Sequence, residues 1–129
     1  MKMRNYLFFL AGFSTMAFAQ APVGNNAQQF AQITGSIAGT SQACGQDVST
    51  LSSRAAEVIN LLTTVPAEQQ QAMMVYEKAL ASSAMMQEKN HTMKCPDVLM
   101  AYASLPILKP DYKTTVLPAM AKMGTANAG

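Results

Sequence analysis

The chain of 129 residues has no tryptophan, one histidine and two cysteines, and charged residues make up only 12% of it. Each shortage excludes something. With a single imidazole, His91, and no G-x-S-x-G or H-E-x-x-H pattern, neither a Ser-His-Asp triad nor a two-histidine zinc site can be assembled. The carboxylates Glu57, Glu68, Glu77 and Glu88 are strung along helical segments like solvated surface groups, and no spacing selects a pair for acid–base work. The chain therefore reads as a non-enzyme without a cofactor. Beyond the first eighteen residues there is no second long apolar run, so no stable membrane insertion is expected after the N-terminal segment is removed.

That N-terminal segment is "MKMRNYLFFLAGFSTMAFAQ". Lys2 and Arg4 form a basic start, the run from Tyr6 to Phe18 is mostly apolar, and Ala17-Phe18-Ala19 is a small-x-small cleavage signature. The three regions in this order make residues 1–19 a secretory signal peptide, with Gln20 as the first mature residue. Two of the nine basic residues leave with it, and the seven that remain equal the seven acidic ones. A neutral mature chain has no electrostatic footprint for nucleic acid or anionic lipid. It is expected in the periplasm or outside the cell.

In an oxidising compartment, two cysteines read as one disulfide, Cys44–Cys95. It closes a loop of about fifty residues, worth ~4 kcal/mol in the chain-entropy model. The two are not in a C-x-x-C pair, so a thiol oxidoreductase is not indicated.

Periodicity predicts an all-α fold: a bundle of about four helices over residues 27–123, after a flexible leader at 20–26 and before a disordered tail at 124–129. The first helix, 27–41, carries Gly35 and Gly39, each costing ~1 kcal/mol against alanine. Their G-x-x-x-G spacing marks either a place where another helix packs closely or a frayed helix. The second helix has Val48, Leu51, Ala55, Val58 and Leu62 on one face, with Asp47 or Ser49 as its cap. Pro66 ends it and opens a long third helix to about residue 90. Pro96 and Asp97 start a fourth, which Pro106 ends. The remainder is proline-rich, with prolines at 106, 110 and 118, and is expected as loops with one or two helical turns docked on the bundle.

The stretch "MMQEKNHTMKC", Met85 to Cys95, concentrates the unusual side chains of this methionine-rich chain. It has two readings. His91, Met93 and Met86 are soft donors of the kind copper(I) prefers. Alternatively, the stretch is a helix C-terminus, with Lys89 and His91 at the negative end of the dipole, running into a disulfide anchor. On the second reading Met73 and Met86 pack inside while Met74 and Met85 face solvent. Asn90-His91-Thr92 is also a glycosylation sequon, which matters only in a eukaryote.

By elimination the expected function is an exported small helical protein-binding module, of inhibitor or immunity type, with an unknown protein partner. The alternative is a periplasmic copper carrier using methionines and His91. Periplasmic acid-stress chaperones share the format of an exported, disulfide-linked helical protein. Their pH switch needs many titrating carboxylates, and the mature chain has seven. If the glycine-weakened first helix docks loosely, Phe30, Ile33 and Ile37 are open to a partner. Otherwise they complete the chain's own core.

N-terminal sequencing of the protein from its native compartment is expected to begin at Gln20. An abundant form there starting at Met1 or Lys2 would overturn the signal-peptide reading.

Overall fold

The computed structural model describes residues 26–128, and side-chain surroundings as far as Met123. The segment read as a signal peptide, its expected cleavage before Gln20 and most of the expected leader lie outside the described residues. Among the described residues the fold is all-α. It has α1 (Asn26–Ala43), α2 (Ser49–Leu62), α3 (Pro66–Asn90), α4 (Cys95–Ala103), a 3-10 turn at Pro106–Leu108 and α5 (Tyr112–Ala128). None of these helices is long and apolar enough to cross a membrane.

The organising contact joins α1 to α3. Along α1 the smallest residues recur every fourth position: Ala27, Ala31, Gly35, Gly39 and Ala43. The first four are buried, Ala27 and Ala31 completely. A four-residue spacing puts them in one ridge along the helix. A Cβ built at Gly39 would overlap the carbonyl oxygen of Leu80 and lie 2.9 Å from the backbone nitrogen of Ala84. A Cβ built at Gly35 would meet the carbonyl oxygen of Tyr76 and lie 3.0 Å from the Ala79 Cβ. In each case a glycine Cα–H points at a carbonyl of α3, a weak hydrogen bond that recurs where helices meet closely.

The two helices run parallel in constant register. Gln28 donates to Gln71 at 3.1 Å, forty-three residues on. Gln87 approaches the Cys44 sulfur at the far end with the same separation of forty-three. The first helix is therefore not loosely docked, as its glycines had suggested. The residues that weaken it in isolation are those that let α3 come this close. Phe30 and Ile37 flank the ridge, half-buried against the core, and Ile33 is half-buried too.

α2 runs antiparallel to both, along one side of the pair, and carries the largest part of the apolar core: Leu51, Ala55, Val58, Ile59 and Leu62. Its N-cap position is Val48, whose side chain is buried. Asp47, one residue earlier, accepts a 2.9 Å hydrogen bond from the Ser49 N–H. Hydrogen bonds from Ser49 hold the Asp47 carboxyl below the usual carboxylate range. At the next turn the Thr63 hydroxyl donates to Glu68 at 2.6 Å and accepts from the Val65 N–H at 3.2 Å. Gln69 adds a bond to the Thr63 carbonyl at 2.8 Å. Pro66 occupies the first turn of α3, where its missing N–H costs nothing.

The C-terminal part departs from the expected loops, and a fifth helix replaces the four-helix count. α5 runs to Ala128, through the boundary expected at 124, and contains Pro118. An interior proline costs a helix ~3 kcal/mol. Here Tyr112 and Val116 are buried, and Leu117 and Met120 pack against the core, so tertiary burial outweighs that cost. Arg54 on α2 ties the segment down. Its guanidinium donates to the carbonyl of Ile107 at 2.9 Å and lies 3.9 Å above the centre of the Tyr112 ring. The Tyr112 hydroxyl donates to Glu57 at 2.8 Å. That bond to the carboxylate pushes the phenol's pKa up.

Gly39→Ala separates local from tertiary preference. Helix propensity alone favours alanine by ~1 kcal/mol. The clash is with backbone, which cannot step aside, and overpacking of this kind costs ~1–3 kcal/mol or more. The expected outcome is a fall in thermal midpoint, on the order of 5–10 °C, measured by circular dichroism. A rise would mean that α1 and α3 do not approach this closely.

Candidate functional site

The residues from Met85 to Cys95 form the end of α3, a four-residue loop and the start of α4. α3 ends at Asn90 because His91 turns left-handed, with φ 47° and ψ 46°. Its N–H still bonds back to the Gln87 carbonyl at 2.9 Å. Among the described residues His91 is the one non-glycine with positive φ. Such a cap satisfies a terminal carbonyl but strains a side chain bearing a Cβ by ~1–2 kcal/mol, so the surroundings must enforce it.

Gln87 enforces it from within. Its side chain is 2% exposed. The amide nitrogen donates to the Met93 carbonyl at 2.6 Å, and the amide oxygen accepts from the Met93 N–H at 3.1 Å. The same oxygen accepts from the Thr92 hydroxyl at 3.2 Å. One side chain thus grips both polar groups of one loop residue, as a neighbouring strand would. The Gln87 nitrogen also lies 3.7 Å from the Cys44 sulfur and 3.8 Å from the Cys95 sulfur.

The disulfide closes the loop from outside. Cys44 follows α1 directly, Cys95 opens α4, and their Cα atoms are 5.3 Å apart. Gly45, at φ +94°, turns the chain away after Cys44. α4 is short and packs through Val98 and Tyr102. The Tyr102 hydroxyl donates to the Asp47 carbonyl at 3.2 Å, and the Tyr76 hydroxyl pairs with that of Ser52 at 2.7 Å. Burial pushes both phenols up.

These contacts place the sequence-predicted residues. His91 is exposed at the helix end, and Met93 is half-buried with its backbone held by Gln87. Met86 is 54% exposed and does not pack inside, contrary to expectation. Val75 and Ala79 share its side of α3 and are covered. Ala79 there lies against Gly35 of α1, where an added Cβ would come within 3.0 Å of the Ala79 Cβ. Met86 lies ~10 Å beyond Ala79 along α3 and is left open to solvent. Met74 and Met85 face solvent, and Met73 packs against the core. The disulfide takes both cysteines, and among the described residues no three His, Cys, Asp or Glu side chains converge as a metal group does. A soft-metal site here would consist of thioethers and one imidazole.

Gln87 was not among the residues singled out from the sequence. The available signal was a glutamine at a core position within reach of two cysteines. The Glu57 carboxylate, read as solvated, accepts from a buried tyrosine.

The fold and this site define a small all-α domain that presents one short loop in a fixed conformation. No protein-family model, no curated protein and no solved structure matches the chain.

Gln87→Met keeps the side-chain volume and removes the amide. It leaves the Met93 N–H and carbonyl without their partner, at a cost of ~1–3 kcal/mol. Hydrogen exchange at the Met93 amide is expected to accelerate more than at amides in the middle of α2. Unchanged protection at Met93 would show that Gln87 does not hold the loop.

Proposed function

We propose that this chain is an exported protein-binding module, of inhibitor or immunity type, that engages its protein partner through the loop at residues 91–94. The reading rests on one observation: the loop is held from inside by Gln87 and at its end by Cys44–Cys95, while His91, Thr92 and Lys94 are exposed. A loop ordered before it binds loses little conformational entropy on binding, which is how rigid inhibitors gain affinity. Binding loops are commonly carried in this way by a scaffold that does not move. The exposed Met86 beside the loop supplies an adaptable apolar contact. A periplasmic or extracellular site of action follows from the N-terminal signal and agrees with a persistent disulfide.

The test is capture of the partner from the native envelope fraction, followed by measurement with a substituted chain. Met86→Ser, His91→Ser and Lys94→Ser together change exposed groups and leave Gln87 and both cysteines in place. The expected result is a weakening of at least ~10-fold, about 1.4 kcal/mol, with an unchanged thermal midpoint. Equal binding by the triple variant would move the partner surface elsewhere on the molecule.

A further inference from the structure

α3 presents to solvent a face that none of the described elements covers. Its core-facing polar residues Tyr76 and Gln87 are eleven positions apart, and a pattern repeats around them: Met74-x-Tyr76-Glu77-Lys78 and Met85-x-Gln87-Glu88-Lys89. Eleven residues overshoot three helical turns by only ~20°, so both copies of the pattern project in the same direction. Opposite the core lie Ala67, Met74, Ala81 and Met85, all exposed, the two methionines by 54% and 55%. Glu77 and Glu88 border this stripe on one side, Lys78 and Lys89 on the other, and all four are exposed. No opposite charge stands three or four positions from either lysine or from Glu77, so the pattern does not serve pairing within the helix.

We propose that a second copy of this chain covers that face, in a two-fold dimer whose α3 helices run parallel. The charges select this arrangement. A two-fold axis along the helices sets the glutamate border of one copy against the lysine border of the other, on both sides of the methionine stripe. A two-fold axis across the helices would set lysine against lysine and glutamate against glutamate. In the parallel pair Met74, Ala81 and Met85 each meet their own counterpart, as an isologous interface requires. The contact is of the small, transient class, so dimers are expected from roughly micromolar concentration upward. Parallel pairing also brings both 91–94 loops to one end, where two sites act together on a partner that can reach both; this consequence alone rests on the reading of the loop given above.

Sedimentation of the chain purified from its native compartment, across a concentration series, tests the proposal. The wild type is expected to pass from monomer to dimer, and the dimer to weaken as salt rises, because opposite charges face one another. K78E/K89E leaves only glutamates on both borders, and E77K/E88K only lysines. Each variant is expected to self-associate at least ~10-fold more weakly, with unchanged helicity by circular dichroism. An equimolar mixture of the two is expected to dimerise as well as the wild type. A wild type that stays monomeric, a dimer that tightens with salt, or variants that pair like the wild type would each overturn the proposal.

Discussion

The close approach of α1 to α3 is the constraint on which the rest of the structure depends. Gly35 and Gly39 let the backbone of α1 meet the carbonyls of Tyr76 and Leu80, which no residue with a Cβ could do. Because the two helices run parallel, the chain has to come back through α2, whose apolar stripe fills the space on one side of the pair. The same geometry brings the C-terminal ends of α1 and α3 to one place. Cys44 and Gln87 therefore stand beside each other, and Cys95, just past α3, is within reach of both. The disulfide and the glutamine clamp follow from the glycine contact.

A chain with so few charges holds its elements together with neutral hydrogen bonds and a few single ions. Tyr76 pairs with Ser52, Tyr102 with the backbone of Asp47, and Gln87 with the backbone of Met93. Arg54 is the main cation in this scheme, and it works through backbone carbonyls and the face of Tyr112. Such contacts carry directional information that apolar burial lacks, which suits a small core built largely from alanine, valine and tyrosine. The C-terminal segment shows the effect. Tyr112 is fixed by Arg54 from one side and Glu57 from another, and a helix containing Pro118 continues beyond it.

The all-α class and the boundaries of α2 and α3 were legible in the chain because they depend on local chemistry. Pro66 both ends one helix and starts the next, and a 3-4 spacing of Leu51, Ala55, Val58 and Leu62 admits one reading. The pairing of Cys44 with Cys95 was legible by elimination, since only two cysteines exist. The methionine-rich stretch was legible in outline as a helix end that runs into a disulfide anchor. Met86 was misplaced because its burial depends on whether another element covers that side of α3 two turns beyond Ala79, and no residue near Met86 reports that.

What the sequence determined by itself is therefore the set of helices whose ends are marked by proline and whose faces are marked by period, together with the one possible disulfide. Tertiary structure alone decided whether Gly35 and Gly39 were weaknesses or contacts, and whether Pro118 would end a helix. It also decided whether Gln87 would be a tolerated polar residue or the clamp of a loop. In each of these the local preference of the residue is about 1–3 kcal/mol, and it opposes or says nothing of the observed state. For the glycines and Pro118 the deciding term comes from atoms forty or more positions away in the chain, and for Gln87 from a loop only five and six positions on, whose fold-back local spacing cannot report.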